Sequence, residues 1–463
     1  MGNKLERKFG LFTAICMVVG IVIGSGVFFK AQTILSITGG DMPMGIIAWL
    51  IGGGIMLVCL LTFSFLGQKY ERVNGLVDYA EATVGSRYGY YMGWFSATIY
   101  FPGMTSALAW LTARYTLEFI TSVNPAFPMS IPVEQGGCVI GPECMALTLF
   151  YLCAVYAVNV LSPKMAGKLQ TTTTVIKLIP LGLMAVVGLI YGLSTGMLQN
   201  NMTTAAQVAT VSAHPLFSAV CATAFAYEGW IIATSINAEI KDSKKNLPKA
   251  LILGGIIIVA VYIFYYIGVA GGATNQQLID KGATVAFTNI FGNVLGNVMN
   301  LFVAISCLGT TNGLMLACSR CMYSLAERGE GPKPEMFGQV DPKTNMPGNS
   351  AVFALIVTAA WFLYFYFSNL ACTWSGPFVF DSTELPIITI YLMYLPILIQ
   401  WMRKEKDQPV LRRFVLPALA LCGSVFMVIA CIFSHRWGCV WYLIVFVVVM
   451  LIGGLVDRAR KRA

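Results

Sequence analysis

Three long stretches of this chain carry no charged side chain, and they limit its possible folds more than any other feature. They cover residues 250–273, 414–434 and 437–456. A helix of about 20 apolar residues crosses the hydrocarbon core of a bilayer. Strands of a membrane barrel would instead alternate in polarity over about ten residues. Because these stretches are apolar on every face, they are predicted to be membrane-spanning helices.

The composition of the whole chain agrees with a bilayer as its solvent. Of the 463 residues, 57% are hydrophobic and 11% are charged, and the mean hydropathy is +0.73. Soluble domains carry about a quarter charged residues, and one soluble core could not hide this much apolar surface. The sequence predicts an all-α integral membrane protein with twelve spans, at roughly 11–37, 43–67, 88–118, 145–162, 168–192, 212–238, 250–273, 292–325, 350–369, 378–401, 414–434 and 437–456.

Positive charges are unevenly divided between the two sides that result when the loops are assigned alternately. One side, which includes both termini, carries 25 of the 30 Lys and Arg residues, whereas the other carries only Lys281 and Arg436. The remaining three, Lys30, Arg114 and Lys177, fall within spans. Because cytoplasmic loops are enriched in Lys and Arg, both termini are predicted to be cytoplasmic. The net charge of +9 is therefore a topology signal, and nucleic acid is not an expected partner.

Two of the predicted spans contain residues that resist a regular helix. Residues 20–28 place a Gly-Ser-Gly triplet at mid-span, and residues 224–230 place a Glu-Gly pair at mid-span. The interruptions fall in the first helix of one five-helix set and in the first helix of the next. Paired interruptions at corresponding positions are the best sequence pointer to a transporter binding site.

An interrupted membrane helix can bind an amino acid through its backbone. Each unpaired N–H or C=O group costs several kcal/mol in hydrocarbon, so an unwound turn must face protein or a cavity. The N-terminus of a half-helix attracts a carboxylate, and unwound carbonyls can accept hydrogen bonds from an ammonium group. The alternative for the Gly-Ser-Gly triplet is close helix packing through small residues. The second interruption at the matching position favours a site for a zwitterion.

Two charged residues are predicted in the middle of spans, Lys177 in the fifth and Glu228 in the sixth. A charge at a helix centre costs at least about 2.5–3.5 kcal/mol, so each needs carbonyls, an opposite charge or a wet cavity. Lys177 is either a fixed cation near the interruptions or a side chain that reaches the interface. Three interpretations of Glu228 stay open: a proton carrier, a protonated and hydrogen-bonded carboxyl, or the partner of a basic group.

Cysteine and histidine give weaker indications. Most of the 13 Cys lie in apolar spans, but Cys138 and Cys144 share a predicted outer loop, where a local disulfide can form. Cys and His show no metal-ligand spacing, and His214 and His435 stand alone at predicted outer helix ends. The sequence therefore predicts no metal site and no cofactor. No catalytic cluster stands out either, so an enzyme is not expected.

Four other charged residues lie near predicted outer helix ends. Arg114 and Glu118 are one helical turn apart and are predicted to form a surface ion pair. Asp381 and Glu384 lie near the outer end of the tenth span and have no assigned role.

Several segments of the chain resemble the amino acid–polyamine–organocation superfamily, and within it the L-type and bacterial serine/threonine-exchanger-like permeases. The glycine-rich run at 20–28 looks like the first-helix signature of that superfamily, and residues 224–230 look like its sixth-helix element. Further similar segments lie at 75–80 with Gly85, at 237–241, at 246–250, at 319–320 and at 326–329. The resemblance covers residues from about 10 to 430.

The resemblance implies a leucine-transporter-like fold with a five-plus-five inverted repeat in a single transmembrane domain. The first repeat would cover about 11–192 and the second about 212–401, with two extra helices at about 414–456. The substrate carboxylate would bind at the first interruption, at Ile23, Gly24, Ser25 and Gly26. Backbone acceptors for the substrate amino group would come from the second, at Phe225, Ala226, Tyr227 and Glu228.

The resemblance also implies roles for single side chains. Phe225 matches an aromatic gate, and Lys177 matches a fifth-helix lysine that replaces a sodium ion. Glu228 departs from the glycine of animal relatives at that position, although an acidic residue is common in bacterial ones. Animal L-type members pair with a glycoprotein subunit, but no accessory subunit is evident from this sequence.

The sequence thus predicts a multi-pass transporter of the cell membrane, surrounded by lipid, whose small-molecule substrate is an amino acid. The expected activity is sodium-independent exchange of neutral L-amino acids by alternating access. The preference for neutral side chains rests on the lack of an obvious acidic pocket beyond Glu228. The alternatives are a proton-coupled symporter that uses Glu228 and, in a different class, a membrane sensor that binds amino acids without transporting them.

Overall fold

The computed structural model describes residues 10–24, 26–70, 75–206, 212–233 and 240–462. These residues fold almost entirely into helices. The first half of the chain forms α1 Leu11–Val22, α2 Gly26–Ile37, α3 Met42–Lys69, α4 Leu76–Thr83, α5 Ser86–Phe95, α6 Phe101–Val123, α7 Gly137–Ile140, α8 Pro142–Leu161, α9 Pro163–Leu183, α10 Leu189–Thr195 and α11 Met197–Thr203. The second half forms α12 Pro215–Tyr227, α13 Trp230–Ala233, α14 Ser243–Gly272, α15 Asn275–Lys281, α16 Ala283–Ala326, α17 Pro334–Phe337, α18 Gly348–Phe365, α19 Leu385–Lys404, α20 Leu416–His435 and α21 Trp437–Arg462.

Short π-helical turns join or extend several of these helices. Ser96–Tyr100 continues α5 into α6, and Met184–Gly188 continues α9 into α10. Tyr366–Leu370 extends α18, and Leu411–Val415 leads into α20. π-helical turns are rare in proteins, and those that do occur are often found at functional sites.

Within the described ranges, nine helices are long and apolar enough to cross a membrane. They are Met42–Lys69, Pro142–Leu161, Pro163–Thr195, Lys244–Gly272, Ala283–Ala326, Gly348–Leu370, Leu385–Lys404, Leu411–His435 and Trp437–Lys461. Each coincides with one predicted span, which confirms a long apolar helix at those nine places. Of the other three, the predicted spans at 11–37 and 212–238 are each divided into shorter helices, and the span at 88–118 falls on α5 and α6.

The helices pack into two neighbouring groups. In one group, α14 lies against α1 and α3, and α12 lies against α2 and α3. In the other group, α16 lies against α6, α9 and α18, and α8 packs on α6. The divided helices thus belong to the first group, and they face the second across a continuous hydrophobic core. Beyond both groups, α20 packs against α3, α12 and α19.

Candidate binding site between two broken helices

The first break separates α1 from α2 at the predicted position. Ile23 closes α1 in an extended conformation, with φ −67° and ψ 103°. A new helix begins at Gly26. A Cβ atom on Gly24 would lie 2.9 Å from the Thr310 hydroxyl of α16, so the unwound turn runs close to the second group of helices. Ser25 lies outside the described residues.

The second break separates α12 from α13, also where the sequence predicted it. Glu228 is extended after the last helical residue, Tyr227, with φ −71° and ψ 158°. Gly229 follows at φ 103°, a left-handed conformation that side-chain-bearing residues rarely adopt. Trp230 then starts the short continuation helix. A glycine is therefore required for the chain to turn here.

The two breaks lie side by side. A Cβ atom on Gly26 would come within 2.5 Å of the Ala226 Cα atom, so the start of α2 touches the backbone at the end of α12. The Tyr262 hydroxyl on α14 lies 3.1 Å from the Val22 carbonyl oxygen and 3.0 Å from that of Ala226. A hydroxyl has one proton, so it can donate to only one of these carbonyls fully at a time. Tyr262 therefore links the ends of both broken helices, and the sequence did not single it out.

The residues of the two breaks are deeply buried. Phe225 is 4% exposed, and Ile23, Ala226 and Tyr227 are 1% exposed or less. The Tyr227 hydroxyl donates to the Trp49 carbonyl at 3.0 Å, which turns this side chain towards α3. The backbone of α12, rather than this side chain, is thus available near the first break.

Phe225, the predicted gate, contacts the helix that follows the first break. Its ring centroid lies 6.4 Å from that of Phe29, in an edge-to-face arrangement. The Lys30 ammonium nitrogen lies 5.2 Å from the same Phe225 centroid, a distance typical of a cation–π contact. Phe225 is therefore held against α2 on one side of the junction between the breaks.

Lys177 is fully buried on α9, inside the protein. Its ammonium group donates to the Gly20 carbonyl in the last turns of α1. A Cβ atom on Gly20 would lie 2.7 Å from Cγ2 of Thr174, which shows how closely α1 and α9 approach. The alternative of a snorkelling lysine is wrong, since the side chain places its positive charge beside the first break.

Glu228 is 6% exposed, and one of its carboxylate oxygens accepts a hydrogen bond from the Tyr100 hydroxyl. The other oxygen, Oε2, is buried and has no hydrogen-bond partner among the described residues. Glu228 is not a member of any ion pair among the described residues, so the geometry favours a hydrogen-bonded carboxyl over a partner of a basic group.

A buried charge network joins residues that the sequence left apart. Glu384, which had no assigned role, forms an ion pair with Lys30 through one carboxylate oxygen. Its other oxygen, Oε2, lies 3.0 Å from Nε2 of His435. Asp381 accepts from the Thr383 and Glu384 backbone N–H groups at 2.7 Å each, so it orders the turn before α19. In the sequence, the indication of such a network was that each of these charged residues lies in or beside an apolar span.

The predictions for cysteine and histidine need two corrections. Cys138 and Cys144 are both free thiols in the structure, so the local disulfide is not formed. His435 does not stand alone, because ligand atoms of Cys221, Cys431 and His435 lie within 4.8 Å of one another. The prediction that Cys and His form no grouping suited to a metal is therefore wrong. The i, i+4 spacing of Cys431 and His435 on one helix face was the signal that could have revealed it.

The predicted pair of Arg114 and Glu118 is formed, with Nε 2.7 Å from Oε1. It is not a fully exposed surface pair, however, because the two side chains are only 19% and 21% exposed. Both line a small cleft that also contacts Phe28 of α2.

These observations define a multi-pass membrane protein with a buried polar site where two broken helices meet, which is the architecture of a transporter. The chain belongs to the amino acid permease family, because the model of that family matches residues 9–455. The family consists of amino acid transporters rather than enzymes, and the chain is accordingly an amino acid transporter.

Relatives in the family share moderate identity with this chain. The chain is 29% identical over 448 residues to the serine/threonine exchanger SteT of Bacillus subtilis, with 94% of each chain covered. It is 26% identical over 361 residues to the human large neutral amino acids transporter small subunit 2, covering 77% of this chain and 64% of that protein. It is 25% identical over 444 residues to the human Asc-type amino acid transporter 1, covering 94% and 79%.

Proposed function

We propose that this chain is a sodium-independent exchanger of neutral L-amino acids that works by alternating access. In this proposal the two broken pairs and the α5–α6 helix complete twelve spans, arranged as two five-helix repeats and two extra helices, with both termini cytoplasmic. The observation that carries the proposal is the junction of the two breaks, where Gly26 touches Ala226 and Tyr262 reaches both helix ends. The exchange mode is supported by the similarity to the serine/threonine exchanger SteT.

The substrate would bind through backbone groups at this junction. The N–H groups at the start of α2, with Ile23, Gly24, Ser25 and Gly26, would hold the substrate carboxylate, because a helix N-terminus favours an anion. The carbonyls at the end of α12, with Phe225, Ala226, Tyr227 and Glu228, would accept from the substrate ammonium, since the last four carbonyls of a helix lack intrahelical partners. Phe225 would close over the site as a gate.

Lys177 would make transport independent of sodium. Its ammonium group already donates to the Gly20 carbonyl, a role that a cation bound beside the first break would otherwise perform.

We expect amino acid counterflow in proteoliposomes to be unchanged when Na⁺ is replaced by choline. A matched pair of variants separates this charge from other lysines: Lys177→Met should abolish counterflow, whereas Lys168→Met, exposed on the same helix, should not. Counterflow that requires Na⁺ would contradict this role.

The neutral-substrate proposal rests on the charges near the breaks. Glu228 is the acidic group in the described part of the junction, and one of its two oxygens is already engaged by the Tyr100 hydroxyl. Proteoliposomes loaded with Ser, Ala, Leu or Arg and assayed for counterflow against each labelled amino acid would test it. We expect exchange among the neutral amino acids. Exchange of Arg alone would refute the proposal.

A proton-coupled symporter is the second candidate, favoured by the unpaired Glu228 Oε2 atom. A buried carboxylate oxygen without a partner is costly unless the carboxyl is protonated or the oxygen gains a partner during the cycle. The test is accumulation of labelled amino acid driven by a pH gradient. Symport through this group predicts that Glu228→Gln loses accumulation but keeps counterflow. If Glu228→Gln retains the full pH-driven accumulation, this residue is not the proton carrier.

A further inference from the structure

Sulfur and nitrogen ligands converge where α12 meets the C-terminal end of α20. Cys221 lies one helical turn before Phe225 on α12, and Cys431 and His435 lie on α20. Potential ligand atoms of these three residues are within 4.8 Å of one another. A fourth candidate, Cys439 of α21, has its Sγ atom 3.8 Å from that of Cys431. The two helices pack directly against each other, so these side chains face one shared interface.

We propose that Cys221, Cys431 and His435 form a binding site for a thiophilic divalent cation such as Zn²⁺, which fixes α12 to α20. Thiolate and imidazole are the ligand types that Zn²⁺ prefers, and four-coordinate sites are tetrahedral. With Zn–S bonds of about 2.3 Å, two sulfur ligands lie about 3.8 Å apart. The observed spread of the ligand atoms exceeds that value by little, so changes of side-chain torsion can close the site. Cys439 or water would occupy the fourth position.

The charges around the site balance once a divalent cation is bound. With water in the fourth position, two thiolates neutralise the cation, and a neutral imidazole adds no charge. Glu384 and Lys30, which adjoin the site, already neutralise each other. The cation with its ligands is then neutral, which suits an interior where an unpaired charge is strongly disfavoured. The neighbouring Asp381 carboxylate is stabilised separately by the backbone N–H groups of Thr383 and Glu384.

Glu384 supplies the outer partner that metal-binding histidines commonly have. Its Oε2 atom lies 3.0 Å from Nε2 of His435 and 3.6 Å from the Cys221 sulfur. A carboxylate in this position orients the imidazole and raises its basicity. The same carboxylate pairs with Lys30, which lies against the Phe225 ring. The proposed site is thereby connected to the predicted gate through two side chains.

A cation can reach this site from the end of α20. The Cys221 and Cys431 side chains are buried, but the His435 side chain is 17% exposed. Because α12 belongs to the group of broken helices and α20 lies outside it, a shared cation would resist movement of one against the other. Bound cation should therefore slow transport, and this consequence rests on the proposed exchanger function.

Direct binding is tested with Cd²⁺, whose bonds to thiolates give an ultraviolet charge-transfer band. The full-length protein in detergent, kept reduced with a phosphine, is titrated with Cd²⁺ alone. We expect the band to saturate at one high-affinity Cd²⁺ per chain and to disappear in Cys221→Ser and Cys431→Ser. Substitution His435→Gln, at a partly exposed position, should weaken binding by more than about tenfold while leaving the fold intact.

Cys422→Ser is the matched control, because this cysteine is exposed on the same helix, α20. It should leave the high-affinity band unchanged. An equal band in Cys221→Ser and the unsubstituted protein would overturn the proposal. Intact-mass evidence for a Cys431–Cys439 disulfide in protein purified without reductant would overturn it as well, since neither sulfur could then bind as a thiolate.

The effect on transport is measured as counterflow with and without Zn²⁺ on both sides of the membrane. We expect Zn²⁺ to slow counterflow in the unsubstituted protein and in Cys422→Ser, but far less in His435→Gln. Equal inhibition of all three would refute the link between α12 and α20. A protein that binds one Cd²⁺ but shows no counterflow would leave the metal site standing and contradict the proposed exchanger function instead.

Discussion

Gly26 brings the first break into contact with the second, and its missing side chain makes this approach possible. A Cβ atom here would meet the Ala226 Cα atom at 2.5 Å. Backbone cannot rotate aside as a side chain can, so one of the two helices would have to shift. From the sequence, close helix packing and a binding site were alternative explanations of the Gly-Ser-Gly triplet. At Gly26 the structure shows close packing and, in the same place, two broken helices that meet.

Gly26→Ala should therefore destabilise the protein by about 1–3 kcal/mol and strongly reduce counterflow, as overpacking does elsewhere. Gly54→Ala provides the comparison, because a Cβ atom on Gly54 of α3 would meet nothing within 4 Å. Thermal unfolding in detergent and counterflow in proteoliposomes measure the two effects. A Gly26→Ala protein as stable and active as Gly54→Ala would show that the contact between the breaks is loose.

At the scale of the helices, Tyr262 shows how α14 holds the two broken helices together. Its hydroxyl serves the carbonyls at the ends of α1 and α12, which lack the intrahelical partners of a continuous helix. Tyr265, one turn further along α14, has a buried hydroxyl without a hydrogen-bond partner in the described chain. Tyr265 can therefore serve as a control for Tyr262, because both hydroxyls are buried on α14 but only that of Tyr262 links the two breaks.

Tyr262→Phe should lower the free energy of unfolding by about 1–3 kcal/mol, because the one proton that the Val22 and Ala226 carbonyls share is lost and a buried carbonyl is left without a donor. It should also reduce the counterflow rate, since the relative position of the two breaks is no longer fixed. Tyr265→Phe should be neutral or slightly stabilising, because it removes a buried polar group that has no partner. The same unfolding and counterflow measurements on both variants decide the matter, and equal effects would exclude a special role for Tyr262.

The positions of most helices and both breaks could be predicted from the sequence, because apolar runs and glycine-rich interruptions are local patterns. The partners of the buried polar groups could not. Lys177 was predicted near the breaks from a resemblance, but Tyr262 looked like one of several tyrosines in an apolar run. His435 was predicted to stand alone. Its i, i+4 spacing to Cys431 indicates a possible metal site only together with Cys221, which lies on a different helix. Tertiary contacts between distant segments are what local patterns leave open.

At the scale of the whole molecule, the buried pair of Lys30 and Glu384 joins segments 354 positions apart in the chain. It ties α2, which follows the first break, to the start of α19. The side chains are 4% and 7% exposed, so both charges have lost nearly all of their hydration. Such a pair adds little net stability, but removing one partner leaves a buried charge uncompensated.

A double-mutant cycle separates the net stabilisation by the Lys30–Glu384 pair from the cost of leaving one buried charge without its partner. Lys30→Met or Glu384→Gln alone should destabilise the protein by about 3–5 kcal/mol, whereas the double variant should recover most of that loss. The pair between Lys461 and Asp457 is the comparison, because the Lys461 side chain is 63% exposed. Lys461→Met should therefore cost about 0–1 kcal/mol. Additive losses in the Lys30 and Glu384 cycle, measured by thermal unfolding in detergent, would show that the two charges are not coupled. The expected large coupling would instead mean that α2 and the start of α19 cannot separate without exposing both charges. Separation of these two segments would therefore require water or ions to enter between them.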